Sequence, residues 1–444
     1  MSITWEHHLK EGDRPLHMPI SDDPISATLS EFETSSDLPN VSDFAFWSQP
    51  ASQRASTFAE LRRSAPVSFQ EPSDLGTVQS RRGFWAVTRH ADVVHVSRNP
   101  DLFCSGQGVG LGEVPIDLLE LNASFLVMDA PRHTALRRVV SGAFTPKRAA
   151  QLEDRIGGEA DRIVDEFVEK GGGDIVQDFA RKLPLWTISE MMGVPESLRD
   201  DLYAAAEAQI AAQDPEFAGD AKERGSVAVA AATTMHRIAA ELLAARRGNP
   251  GDDILSTLAH SNLDGQPLSD QVLGGIFVLF STAGNDTTRN TTSHAFRLFA
   301  DNPSQWSLLA DDPTLIASAV EELVRYASPV IHFRRTATAA TTLGGVEIAE
   351  GDAVVMFYES ANRDQSVFED PDFFDITRSP NPHVGFGGGG AHFCLGANLA
   401  RTQLRSLFAR LSDRVSTIEA GEPDFLVSNF INGIKRMPVT VAAR

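Results

Sequence analysis

Four consecutive glycines, Gly387 to Gly390, stand just ahead of Cys394, after which apolar residues recur at helical spacing through Leu411. Glycines take positive φ and let the backbone approach a flat ligand closely. A helix starting after the cysteine places the sulfur near free backbone amides and the positive end of the helix dipole. Both lower a thiol pKa and favour the thiolate that a metal ligand must be. The same segment also fits a glycine-rich turn before a small buried cysteine, or a phosphate cradle.

The rest of the chain narrows these options. With 444 residues, 42% of them apolar, a large core can be buried, in two or three domains or in one large one. The 60 acidic against 39 basic residues, a net charge of -21, argue against a surface that tracks phosphates, so nucleic acid is not an expected partner. Two cysteines, Cys104 and Cys394, cannot build a disulfide framework, and Cys104 reads as a small buried apolar group. The first residues show no basic stretch followed by an apolar one, and the apolar run from Val272 soon meets Asn285 and Asp286, short of the roughly 18 to 20 residues that span a bilayer. A cytoplasmic protein without a membrane segment is expected.

Residues 1–40 are polar and rich in proline, which predicts an arm, with the packed domain over 41–444. Strand character shows from Pro66, from Gly83, and over Thr342 to Glu347 and Asp352 to Tyr358. Helical periodicity dominates: Leu152 to Phe167, Asp270 to Phe299, Ile316 to Tyr326 and Cys394 to Leu411. Gly171 to Gly173 read as a helix stop.

Three further patterns carry chemistry. Glu322 and Arg325, at i,i+3 spacing, can pair on one helical face, as any surface ion pair does. Ala283 to Thr288, AlaGlyAsnAspThrThr, puts glycine and polar residues inside a long apolar helix, which suggests a kink or a lined cavity; Thr287 can equally bond back to a carbonyl one turn earlier. His133 and Arg137, four apart, can reach one anion, or form a solvated basic face.

Taken together, these segments resemble the cytochromes P450. Phe386, Gly387 to Gly390, His392, Cys394 and Gly396 follow that family's haem-binding loop, and the other patterns occur in family order over about residues 45 to 440. Phe386 stands eight residues before Cys394, where the commonest pattern has seven; a similar extra residue occurs in a bacterial subgroup resembling oxidisers of methyl-branched lipids and sterol side chains.

The resemblance implies a single-domain cytochrome P450 fold, mainly α with small β-sheets, and haem b (iron protoporphyrin IX) with Cys394 as the metal ligand. Phe386 and Gly396 would shape the loop. His133, Arg137, Arg335 and His392 would meet the haem carboxylates. Glu322, Arg325 and Arg378 would form a scaffold under the cysteine loop, and Asp286 and Thr287 would guide protons during oxygen activation. The implied activity is hydroxylation of an apolar terpenoid, methyl-branched lipid or steroid side chain by O2. The chain shows no room for a flavin domain, so electrons are expected from a ferredoxin with an NAD(P)H-dependent ferredoxin reductase, and the enzyme is expected to act as a monomer. Leu279, Ala283, Val330, Ile331, Phe333 and Phe430 are the expected substrate contacts.

From Ala130 to Leu152 there is no acidic residue, while Arg132, Arg137, Arg138, Lys147 and Arg148 make a basic patch suited to an acidic ferredoxin. A haem sensor without turnover, or a nucleotide binder using the glycine loop, would be the other classes; the first must explain Asp286 and Thr287, the second would lack haem.

Overall fold

A helix of 32 residues, Asp270–Asp301, organises the protein. Ser269 caps it, its hydroxyl accepting from the Val272 amide, and the Asn302 N–H closes the far end on the Leu298 carbonyl. The computed structural model describes residues 39–72, 82–113, 124–143, 146–219 and 221–444, so the polar arm falls outside the described residues except for its last two. Pro39–Arg444 forms one compact unit.

The long helix runs through two apolar clusters. Its first half, with Leu273, Ile276, Phe277 and Phe280, packs with Met192, Met235, Ile238 and Leu242. Its second half, with Ala295, Phe296 and Phe299, packs with Phe167, Phe179, Leu407 and Phe408. A helix apolar on nearly every side must be buried on nearly every side. The exception is midway: Leu279 and Thr287 are half-buried and Ala283 is exposed. Four-residue spacing puts these three on one face, so the helix borders a cleft at its centre.

The other helices follow the periodicity of the sequence: Pro146–Glu169, Ile316–Ala327 and Ala397–Arg414 bury their apolar stripes against the second cluster. Gly171 to Gly173 all take positive φ, which ends the first of these; Gly172–Asp174 then pairs as a strand with Pro438–Ala443. Within Ala221–Gly248, the stretch Gly225–Gly248 is long and apolar enough by length and composition to cross a membrane (mean hydropathy 1.2), with a third of it buried. Its Met235, Ile238, Ala239, Leu242 and Leu243 belong to the first core cluster.

The main sheet has five strands in the order Val67–Gln70, Phe84–Val87, Ala353–Phe357, His332–Ala337 and Phe103–Cys104. Phe84–Val87 and Ala353–Phe357 run parallel, and the other neighbours are antiparallel. Alternation splits Ala353–Phe357 between two cores: Val354 and Met356 pack with Val93 and Val96, while Val355 and Phe357 pack with Trp47 and Phe58. The strand character around 342–347 resolves into a hairpin, Thr341–Leu343 with Val346–Ile348, turned by Gly344 and Gly345 at positive φ.

Candidate active site

Cys394 lies three residues before the helix Ala397–Arg414, whose N-cap is Gly396. Its N–H donates to the Phe386 carbonyl at 3.0 Å, closing the glycine loop. The thiol is exposed, yet enough protein surrounds it that desolvation pushes its pKa up, against the pull of the Gly396 and Ala397 amides and of Arg137 and Arg401. The helix start alone therefore does not lower this thiol's pKa, contrary to the expectation from sequence, because burial outweighs two amides. A group both reachable and desolvated lines a cleft.

The glycines serve a purpose the sequence did not disclose. A Cβ on Gly388 would meet Ser97 Oγ at 2.7 Å, and one on Gly390 the Ser97 carbonyl at 2.3 Å. Close approach is required by the helix His90–Arg98, whose Arg98 Nε donates to the Gly388 carbonyl at 3.2 Å. Phe386 is half-buried, with the Arg401 guanidinium 4.4 Å from its ring centre.

At the edge of this loop four basic groups gather, with Asp129 the carboxylate whose charge reaches His133 and Arg335. The rings of His133 and His392 lie 4.2 Å apart. His392 Nε2 is 3.1 Å from Ser105 Oγ, and buried His133 has an Nε2 with no partner. Burial, then Arg335, His133 and Arg137, pushes His392 down to about 3. Burial likewise lowers His133 and Arg335. Arg137 donates to the Phe393 carbonyl next to Cys394, so its head lies beside the sulfur; Arg335 Nη1 donates to the Arg334 carbonyl at 2.8 Å.

Beneath the loop, Glu322 and Arg325 are fully buried and joined by two hydrogen bonds of 2.7 and 2.8 Å. Arg378 approaches Glu322 at 3.2 Å and also donates to the carbonyls of Glu369 and Phe373. Two partners had no sequence signal: the Asp375 amide and Asn381 Nδ2, each donating to Glu322 at 3.0 Å. They come from the loop 371–381, which only the fold brings here.

On the long helix, Thr287 faces the cleft and its hydroxyl donates to the Ala283 carbonyl at 2.9 Å. Asp286 points elsewhere: it is 1% exposed and pairs with Arg289 at 2.7 Å, outside hydrogen-bond geometry, so both its oxygens lack a directed donor. Arg289 in turn donates to Glu207 at 3.0 Å and to the Tyr203 hydroxyl at 3.3 Å. Burial pushes Asp286 up to about 6 in spite of Arg289.

Among the expected substrate contacts, Leu279, Val330, Phe333 and Phe430 are half-buried and Ala283 is exposed. Leu279 and Leu395, the neighbour of Cys394, pack against the same apolar cluster. Ile331 is a correction: fully buried, it packs with Phe46, Trp47 and Phe58 on the far side of the sheet and cannot meet a ligand in the cleft. Cys104 is half-buried on its strand opposite Thr336. Among the expected basic patch, Arg132 and Arg138 are exposed, while the side chains of Lys147 and Arg148 fall outside the described residues.

Comparison with known proteins agrees with this arrangement. The family model described as Cytochrome P450 matches residues 305–416. A methyl-branched lipid omega-hydroxylase of Mycobacterium tuberculosis is 40% identical over 403 residues, 89% of this chain and 92% of that protein. A steroid C26-monooxygenase of Mycolicibacterium smegmatis is 40% identical over 388 residues, 86% of this chain and 89% of that one. Among solved structures, a cytochrome P450 of Mycobacterium marinum in complex with pseudoionone superposes with a TM-score of 0.87 at 48% identity, covering 90% of this chain and 98% of that chain.

The chain belongs to the cytochrome P450 family. It is a monooxygenase of that family, its fold is mainly helical with small sheets, and its cofactor is haem b. The residues fit that group: a reachable thiol, and beside it the basic side chains His133, His392 and Arg335, whose pKa values burial lowers, with a buried His133 nitrogen unpartnered.

Proposed function

We propose that the chain hydroxylates an apolar lipid, a methyl-branched chain, terpenoid or steroid side chain, with O2 and electrons from a ferredoxin and its NAD(P)H-dependent reductase. The observations that carry this are an exposed cysteine after the glycine loop, the accessible Leu279–Ala283–Thr287 face of the long helix, and the cluster of His133, His392, Arg137 and Arg335 beside the cysteine. When bound, haem supplies reductive activation of dioxygen and insertion of one oxygen atom into a C–H bond.

The protein's own residues do the rest. Cys394 is the ligand, and the Phe386 carbonyl fixes its backbone. His133, His392 and Arg335, whose pKa values burial lowers, would hold the haem carboxylates, whose negative charge would favour their protonated forms. Arg137, bonded to the Phe393 carbonyl, adds positive charge near the sulfur and stabilises the thiolate. Glu322, Arg325 and Arg378 hold the 369–381 loop, and through it the segment entering the glycine turn.

Thr287 Oγ1 carries a proton at the cleft wall, while Asp286, buried on the other side of the helix against Arg289, has a pKa raised to about 6 and is the acid of this segment that gains and loses a proton near neutral pH. Phe333 and Phe430, 5.5 Å apart, with Val330, Leu279 and Ala283, offer an apolar surface that excludes water and aligns a hydrocarbon. The likeness to a methyl-branched lipid omega-hydroxylase and a steroid C26-monooxygenase supports a substrate whose terminal branched carbon is oxidised. We place the enzyme in the cytoplasm as a monomer, its packed domain spanning residues 41–444.

The ferrous carbon-monoxide spectrum of the purified protein tests the core of this proposal. A strongly red-shifted Soret band is expected, and Cys394→Ser should abolish it. A normal band in that variant refutes the ligand assignment. Spin-state titrations with a sterol, an acyclic terpene and a fatty acid test the substrate class.

A further inference from the structure

The helix Ile316–Ala327 carries two consecutive glutamates, and the scaffold under the cysteine loop uses only the second, Glu322. Successive helical residues point about 100° apart, so Glu321 serves a different set of partners. Its carboxylate accepts the Arg401 guanidinium in two bonds, Nε to Oε1 and Nη2 to Oε2, both of 2.7 Å. His383 Nε2 meets Oε2 at 3.0 Å. The Gly385 N–H donates to His383 Nδ1 at 3.1 Å, so Nδ1 is the acceptor and Nε2 carries the proton offered to Glu321.

The two partners stand on opposite sides of Cys394. His383 precedes the glycine loop, and Arg401 lies near the start of the helix Ala397–Arg414 that follows the sulfur. One carboxylate therefore joins the entry of the loop to its exit. Both partners also meet the Phe386 ring, the Arg401 guanidinium 4.4 Å from its centre and the His383 ring 5.8 Å away. Phe386 is the residue whose carbonyl accepts from the Cys394 N–H at 3.0 Å, so the contact reaches the backbone of the sulfur itself.

An ordinary surface ion pair does less. Exposed pairs contribute little because water screens them and two long side chains must be ordered. Here the Glu321 and Arg401 side chains are 29% and 23% exposed, the shared His383 only 3%, and the pairing is bidentate. Burial raises the Glu321 pKa, but the bonds from Arg401 and His383 outweigh it and hold the group down at about 2, so the carboxylate is charged at neutral pH. The Arg401 charge in turn reaches Cys394. Charges around an anionic ligand tune the metal it holds: a positive one favours the reduced iron, a negative one the oxidised iron.

We propose that Glu321 is a positioning residue for Cys394: it clips the two ends of the cysteine loop together through His383 and Arg401, and by offsetting the Arg401 charge it holds down the reduction potential of the haem iron. This rests on Cys394 as the haem ligand. Glu322 and its arginines fix the loop from beneath; Glu321 closes it from the side and sets the charge beside the sulfur.

The test is a spectroscopic redox titration of the haem-loaded protein in wild type, Glu321→Gln, Arg401→Gln and the double variant. Glu321→Gln should raise the one-electron potential, Arg401→Gln should lower it, and the double variant should return towards wild type. Potentials unmoved in both single variants, shifts of the same sign, or a double variant displaced further than either would overturn the charge role, since distortion of the loop adds and does not cancel. Release of haem to apomyoglobin tests the clip: Glu321→Ala should lose haem about tenfold faster than wild type, within the range for partners that orient a metal ligand. A rate equal to that of wild type would overturn the clip. If wild type shows the red-shifted carbon-monoxide band and these variants behave as wild type, the role of Glu321 fails and the ligand assignment stands. If wild type shows no such band, both fail.

Discussion

Two buried acids show how differently one residue type can be treated. Glu322 is fully buried and accepts from Arg325 twice, from Arg378, from the Asp375 amide and from Asn381, so its charge is matched on every side. Removing it strands Arg325, itself 0% exposed. Glu322→Ala should cost about 3 to 5 kcal/mol, the usual penalty for breaking a buried pair, measured by urea unfolding, with much of the protein failing to retain haem. Asp286 is matched poorly, and its pKa rises to about 6. Between its unfolded value near 4 and about 6, the folded protein keeps a proton that the unfolded chain gives up. Stability from this group is therefore present at low pH and lost as pH rises through that window, by about 3 kcal/mol in all. Asp286→Asn should remove this dependence, seen as a flatter pH profile of the urea midpoint, because Glu207 and Tyr203 still hold Arg289. The same variant should lower turnover about a hundredfold while the carbon-monoxide band persists, as loss of a proton carrier predicts.

Packing between elements decides the role of glycine in the long helix. A Cβ on Gly284 would stand 2.4 Å from Ile188 Cδ1, and Ile188 is 3% exposed on the helix Lys182–Met192. In an isolated helix Gly284→Ala would gain about 1 kcal/mol; here overpacking should reverse the sign and cost about 1 to 3 kcal/mol. Ile188→Ala should rescue it, a coupling that thermal melts of the two single variants and the double variant would reveal. The sequence reading took this glycine for a kink or a cavity, because spacing along one helix says nothing of the neighbour across it. The same holds at Gly388 and Gly390, which admit the helix His90–Arg98, 290 residues away in sequence. What could be read directly was periodic: the long helix, the Glu322–Arg325 spacing, the strands flanking Gly344. What could not was the direction of a side chain after folding. Asp286 and Thr287 are adjacent in sequence but face opposite environments, and Ile331 belongs to the sheet's far side although Val330 and Phe333 do not.

At the scale of the molecule, the charge of -21 repels an acidic protein, so an acidic electron donor needs a local exception to the field. The helix Arg132–Gly142 provides it: Arg132 and Arg138 are exposed, and Arg137 on the same helix reaches the Phe393 carbonyl beside Cys394. A donor held by the exposed pair thus sits over the structural path to the sulfur. Because the attraction acts through solvent, it should fade over a Debye length of about 10 Å at 0.1 M salt, so reduction should slow as ionic strength rises. Arg138→Glu should slow reduction by an acidic ferredoxin and flatten its salt dependence, with the carbon-monoxide band and the melting temperature unchanged, since the side chain is exposed. Stopped-flow reduction under carbon monoxide over a salt series separates the outcomes: a slower rate with a shallower slope places the donor on this helix, whereas an unchanged rate and slope place it on another face.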